Sequence, residues 1–530
     1  NCPAASLLPT QNFAGTFSGL SIRGLILEPS SGQVLAYLPP TTLTGGVLTD
    51  DPVQPGSLLA PVVALAGFAR GESPGNLVWD VPVTFTGSLA GAANPDGTFH
   101  GPVSLRSAVA NDFIVPLAVL AQRITPAVVS QMGNSLGLDT MDSSHVSIEE
   151  LFRGGAYPML ELAQTYATLA NSGQRSGVKD PESGQIEPNL ILKVEDTTGN
   201  VLLDRSTPVS QSIVSNSLAY LINSVLSDDA ARRPSLGYPS MLQTSFPSAA
   251  KIGQTQTRDQ VWTVGYTPFR LVLIGIRQSS PASPELQLQP TLAAGAWKAL
   301  IQYASQGQPA KGWSRPKEIS QVSVCSPSGL LPTSACPNVV PEVFLNGNEP
   351  TETDTLYRRV QINRQTGLLA TVFTPASLVE ERVTLDVPAE ARDWALAAGL
   401  PLTPTRYDAI QNVPQDARVH ISSPALFSSV HGKVQILGTA SDPAFKSYSV
   451  QVGAGINPTD WTQVGVEGQK PVTEGPLAEW DTTGLDGLYV VRLTVVDRSN
   501  LLKTAVLQIT VDNTPPQVEI LSLQPASSLT

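Results

Sequence analysis

Residues 53–71 read VQPGSLLAPVVALAGFARG. A serine follows Pro-Gly at the mouth of an apolar run from Leu58 to Ala69, which Pro61 and Gly67 interrupt. The run predicts a buried helix and falls short of the ~20 residues that cross a bilayer. Ser57 is then either a helix N-cap, for which serine is among the best residues, or a nucleophile at a helix mouth.

Working outward, SIRGLILEPSSGQVLAY (21–37) alternates around a Pro-Ser-Ser-Gly turn and predicts a β-hairpin. QVWTVGY and FRLVLIGIR, joined by Thr-Pro near residue 267, predict two more strands. TLAAGAWKALIQYA (291–304) has helical spacing, with Leu292, Ala296, Ala299, Leu300 and Tyr303 on or near one face. Hairpin, helices, hairpin and closing helix predict an α+β domain built on one antiparallel sheet. From Ala417 onward the runs VHI, KVQILGTA, YSVQVG, LYVVRLTVVD and TAVLQITVD, separated by turn residues, predict a β-sandwich.

Composition narrows the function. The chain has 530 residues, 41% hydrophobic and 14% charged, with a formal charge of −12. That length predicts two to four domains. The acidic balance, with no Lys/Arg cluster, argues against a nucleic-acid partner. The histidines His100, His145, His420 and His431 are scattered and form no His-Glu-x-x-His or other ligand cluster, so neither metal nor cofactor is expected. No Gly-rich phosphate loop is present. Cys325 and Cys336 close a loop short enough to be bridged in an oxidising compartment, which leaves Cys2 odd. The N-terminal Asn1 and the lack of a basic-then-apolar leader suggest a mature or trimmed piece, so any membrane attachment would come through a segment not present here.

Four segments in register resemble the penicillin-binding transpeptidases of bifunctional wall synthases. Pro55, Gly56, Ser57 and Pro61 match that family's Pro-Gly-Ser-x-x-Lys-Pro, with Ala60 in place of the lysine. In SLRSAVANDFIVPLAVLAQRI (104–124), Asp112 and Ile114 stand where the family's Ser-x-Asn motif has its serine and asparagine. GGAYPMLELAQTYATLANSG (154–173) is similar to a framework helix. Lys251, Ile252, Gly253 and Gln254 correspond to Lys-Thr-Gly-Thr, and the following strand pair fits closely. CSPSGLLPTSACPN (325–338) and the sandwich ending in VDNTPP resemble accessory parts of these synthases, and DGLYVV (486–491) resembles an immunoglobulin-like corner as well as it reads as a plain turn and core tyrosine. Three other Ser-x-x-Lys matches, starting at Ser176, Ser248 and Ser314, do not follow Pro-Gly and are read as chance.

The resemblance implies a transpeptidase-like domain at 1–310, a connecting segment at 311–415, an immunoglobulin-like β-sandwich at 416–516, and a tail or truncated module at 517–530. It also implies an extracytoplasmic place in the bacterial envelope, with peptidoglycan or envelope proteins as partners. Ala60 cannot remove the serine proton, a loss worth about 10² to 10⁴ in rate. The expectation is therefore a vestigial nucleophile in an inactive, binding protein, with Asp112 and Lys251 paired across the old cleft. Two rivals are an active D-alanyl-D-alanine transpeptidase or carboxypeptidase using Ser57 with Lys251 as base, and a structural surface or filament protein.

Overall fold

The structure, a computed structural model, describes residues 3–8, 20–39, 52–85, 93–141, 155–255, 257–278, 288–408 and 416–515. Cys2 and the stretch 517–530, with its run QVEILSL, lie outside the described residues. The chain forms two compact units, residues 1–357 with 386–400, and residues 358–385 with 401–530.

The first unit is built on a five-stranded antiparallel sheet. Its strands are β1 (Leu20–Glu28), β2 (Gln33–Leu38), β3 (Ala249–Gln254), β4 (Gln260–Tyr266) and β5 (Leu271–Gln278), in the order β3-β4-β5-β1-β2. The β1–β2 hairpin turns at Pro-Ser-Ser-Gly as expected, and β1 zips against β5 from Leu20↔Gln278 to Leu27↔Leu271. This pairing joins the start of the unit to residues 271–278, and β3 is an edge strand.

Both faces of the sheet are covered at β3, β4 and β5, whose residues are almost all buried, whereas the edge strand β2 is partly exposed. One face, with Leu25, Leu27, Ala249, Trp262, Val264 and Leu273, packs on a helical core. That core contains α1 (Ala60–Phe68), α2 (Leu105–Asn111), α3 (Ile114–Ile124), α4 (Met159–Ala170) and α5 (Asn216–Leu226). Every residue of α1 is buried, as expected for a helix that is apolar all round. The opposite face, with Ala250, Ile252, Val261, Val272 and Ile274, packs on α6 (Thr291–Ala304).

The helix α6 lies where periodicity put it, but its buried stripe differs. Ala293, Ala294, Trp297 and Ile301 face the sheet, whereas Tyr303 is 41% exposed and Leu292 and Leu300 are only partly buried. Trp297 decides the rotation, because its indole lies over the bare backbone of Gly265 on β4. No spacing rule reveals that a tryptophan has a glycine slot waiting for it.

Segment 311–415 contains more regular structure than a connection. Ile319–Cys325 pairs with Val339–Leu345, and the Cys325–Cys336 disulfide closes this hairpin. Glu342 on its second strand receives two hydrogen bonds from Arg106 of α2, which also donates to the Ser224 carbonyl and meets Asp228. Within the same segment, Ala389–Ala397 is a helix that belongs to the first unit. There the Trp394 ring lies over Gly101. Residues 358–385 belong to the second unit.

Beside the two-stranded pair of Tyr357–Asn363 with Val379–Leu385, the second unit carries two larger sheets among the described residues. One has three strands, Val419–Ser423, Lys433–Ala440 and Val472–Asp481. The other has five, ordered Ser429–Val430, Leu502–Val511, Gly487–Asp497, Phe445–Ala454 and Thr462–Gly468. Ile421, Ile436, Trp480, Val450, Val491, Leu493 and Ile509 from both sheets share one core. Tyr489 of DGLYVV meets Trp480 edge-on with ring centroids 5.2 Å apart, and the Asp486 carboxylate accepts the Asn513 N–H at 2.7 Å.

Replacing Trp297 by alanine removes the side chain that fills the β4–α6 interface. The expected loss is about 3–5 kcal/mol in chemical denaturation. Trp297→Phe is expected to lose much less, since it keeps a ring in the slot and deletes an indole N–H that has no hydrogen-bond partner among the described residues.

Candidate functional site

The site grows from the edge strand β3. Side chains alternate along a strand, so Ala249 and Lys251 face the helical core while Ala250 and Ile252 face α6. Lys251 therefore enters the interior, where it is 2% exposed. Ile252 joins the α6 core. It stands where the resemblance places a threonine, and it also lines the groove beside Lys251.

Asp112 supplies the opposite charge. It caps α2 in the left-handed conformation at φ 59° and is followed by Phe113 and the start of α3, which is bent by 120° from α2. Asp and Asn are among the non-glycine residues that enter this region most readily. The turn aims the Asp112 carboxylate at β3, where Oδ1 accepts the Lys251 ammonium. Lys251 Nζ also donates to the Ile252 carbonyl at 2.8 Å. The expected pair is thus formed. Burial pushes the Asp112 carboxyl above the usual carboxylate range, opposed by the Lys251 charge and by hydrogen bonds from Lys251 and Ser57.

Ser57 completes the line. Its hydroxyl donates to Asp112 Oδ2 at 2.8 Å and accepts the Gln254 backbone N–H at 3.2 Å. It lies inside a 3-10 turn, Gly56–Leu59, whose N-cap residue is Pro55. The N-cap reading of Ser57 is corrected accordingly, because its hydroxyl is committed to tertiary partners. Ala60, one turn on, is completely buried at the start of α1. Ile114 is buried in the helical core at the first turn of α3.

Two glycines bring the turn and the strand this close. Gly56 has φ +55°, and a Cβ there would lie 2.0 Å from the Gln254 carbonyl oxygen. A Cβ on Gly253 would lie 2.3 Å from Leu58. Tyr166 of α4 steadies the turn from behind, donating to the Leu58 carbonyl at 2.6 Å. Burial, with Tyr266 and Asp112 nearby, raises that phenol well above its ordinary pKa and keeps it a donor.

Several participants went unnoticed in the sequence. Asn111 donates to the Ala231 and Ser107 carbonyls and accepts the Ser235 N–H and hydroxyl, which ties α2 to the short helix Arg233–Leu236. His100 was read only as one of four scattered histidines. Its Nδ1 instead lies 2.7 Å from the fully buried Asp80 and its Nε2 3.1 Å from Asp96, with the ring stacked on Phe113 at 3.8 Å. Neither has a motif, because each depends on partners remote in sequence.

A groove of about 270 Å³ runs beside the ion pair, lined by Asp96, Asn111, Asp112, Lys251, Gln254 and Arg258 among others. The pair therefore does not fill the cleft. Ser57 is 2% exposed and lies behind Asp112.

A serine turn at the mouth of a buried helix, an edge strand carrying lysine, and a helix corner between them form the frame of the site. A family profile described as "Penicillin-binding protein 1A, C-terminal domain" matches residues 315–359. Penicillin-binding protein 1A of Clostridium novyi (strain NT) is 26% identical over 301 residues, 55% of this chain and 33% of its own length. That of Clostridium botulinum (strain Langeland) is 26% identical over 335 residues, 61% and 38% of the two chains. The chain thus spans about a third of the length of these curated relatives. Among solved structures, penicillin-binding protein 1A from Haemophilus influenzae superposes with a TM-score of 0.54 at 18% identity, over 64% of this chain and 55% of that one. PonA1 from Mycobacterium tuberculosis gives 0.50 at 21%, over 59% and 85%. The chain is similar in sequence and fold to these class A penicillin-binding proteins.

Removing one partner of a buried ion pair strands the other charge. Lys251→Met is expected to cost about 3–5 kcal/mol in denaturant unfolding, and the double change with Asp112→Asn to recover most of it. Gly56→Ala is expected to destabilise on steric grounds alone, with a lowered Tm in a thermal melt.

Proposed function

We propose that this chain is a penicillin-binding-type transpeptidase domain that has lost acyl transfer and works by binding in the bacterial cell envelope. One observation carries the reading: the Ser57 hydroxyl is hydrogen-bonded to a carboxylate already engaged with Lys251, and Ala60 stands where the catalytic lysine belongs. A serine hydroxyl is a weak nucleophile without a free base within reach. Lys251 is no such base here, since its ammonium donates to Asp112 and to the Ile252 carbonyl. The Gln254 N–H, a candidate oxyanion donor, is spent on Ser57 itself.

The partners this reading favours are peptidoglycan strands or envelope proteins. The Cys325–Cys336 disulfide supports an oxidising, extracytoplasmic setting. A second reading rests on the 2.8 Å contact between Ser57 and Asp112, which would let the carboxylate serve as an unconventional base for an active enzyme.

Intact-mass spectrometry after incubation with a broad-spectrum penicillin separates the two, with Ser57→Ala as control. The expected result is no adduct on either protein. An adduct present on the native chain and lost in the control would establish Ser57 as an activated nucleophile.

A further inference from the structure

We infer that the ribbon at residues 193–204 docks on the same ribbon of a second copy of this chain, with the strand Lys193–Glu195 pairing antiparallel to its own mate about Val194.

The ribbon stands apart from the five-stranded sheet. Lys193–Glu195 and Val201–Asp204 form a two-stranded sheet of their own, and no third strand joins either edge among the described residues. Two strands alone are marginal in water, and an open edge is a template for another strand. The surface here is also apolar. Leu190, Ile191, Leu192, Val194, Val201 and Leu202 are all exposed, and no other stretch of equal length among the described residues exposes as many large apolar side chains. Such clustering marks an interaction surface, unlike apolar residues scattered singly.

The hydrogen bonds already made show which backbone groups are free. The Arg205 N–H donates to the Leu192 carbonyl and the Asp196 N–H to the Asn200 carbonyl, while Val194 lies opposite Leu203. Leu192, Val194 and Asp196 therefore turn their backbone groups toward Val201–Asp204. By alternation, Lys193 and Glu195 turn theirs to the open edge.

The charges on that edge select the occupant. With Val194 opposite Val194 of the second copy, Lys193 faces Glu195 and Glu195 faces Lys193. Those are the residues whose backbone groups point outward, so each pair exchanges two N–H···O bonds, and the two valines form the closer pair between them. Opposite charges directly across two strands are favourable. One two-fold axis satisfies both pairs at once. Lys193 already meets Glu195 within its own strand, but both side chains are nearly half-exposed, so exchanging partners costs little. The other edge offers no such match, because pairing Val201–Asp204 with itself about Leu203 sets Leu202 against Asp204.

Sedimentation velocity of the full chain tests this. The interface is short, of the class that buries under about 1,200 Å², so a dimer is expected at about 100 µM chain. Lys193→Glu sets acid against acid and Glu195→Lys sets base against base, and each is expected to weaken the dimer by about tenfold or more. Mixing these two variants restores opposite charges in both pairs, so the mixture is expected to regain the dimer that neither forms alone. Val194→Cys, at the axis, is expected to form an intermolecular disulfide under mild oxidation that the native chain, with its Cys2, does not form. The variants lie on the surface and are expected to melt as the native chain does. A native chain that stays monomeric at that concentration, a dimer indifferent to both reversals, a mixture that stays monomeric, or no cross-link through Val194→Cys would each overturn the inference.

Discussion

A single lysine ammonium inside the first unit sets the terms for everything around it. The alternation of β3 sends Lys251 toward the helical core, and a charge taken out of water survives there only with a partner in good geometry. Asp112 is that partner, held by a left-handed corner between α2 and α3. Ser57 takes the second carboxylate oxygen, which ties the Pro-Gly-Ser turn to the same point. Three segments distant in sequence are fixed by one carboxylate, and each would be left with an unsatisfied polar group if it moved.

The same arrangement keeps the central polar groups of the site paired, and unpaired ones are expensive in a low-dielectric interior. Here the ammonium, both carboxylate oxygens and the serine hydroxyl all have partners, while the neighbouring Gln254 Oε1 has none among the described residues. Arg106 extends the order outward, since its bonds to Glu342 anchor α2, and hence the Asp112 corner, to the disulfide-closed hairpin. Part of the segment matched by the family profile thus supports the helix that carries the site.

Much of this was legible in the amino-acid order. The β1–β2 hairpin, the strands β4 and β5, the all-buried α1, the α6 span and the β runs after Ala417 followed from period and turn residues. The Asp112–Lys251 contact followed from aligning two motifs and asking where a new carboxylate could go. What stayed hidden depended on shape and distant pairing. The rotation of α6 hangs on a glycine slot for Trp297, and the Asn111 clamp on Ser235 and Ala231. The burial of Ser57 behind Asp112 hangs on backbone contact across Gly56 and Gly253. The strands within 311–415 escaped notice because Pro and Thr enrichment masks short hairpins.

The order in which the chain visits its two units has a topological consequence. It leaves the first at residue 357, returns for 386–400, and leaves again. The returning helix places Trp394 over Gly101, at the end of a strand that runs directly into α2. The first unit is therefore discontinuous, and no single cut in the chain yields it intact. A protein ending anywhere between 357 and 386 would lack that indole and uncover the backbone beneath it. Insertions in 358–385 or 401–408 fall in the other unit. The two bodies are bound into one inheritance unit by the thread itself, whatever the surfaces between them contribute.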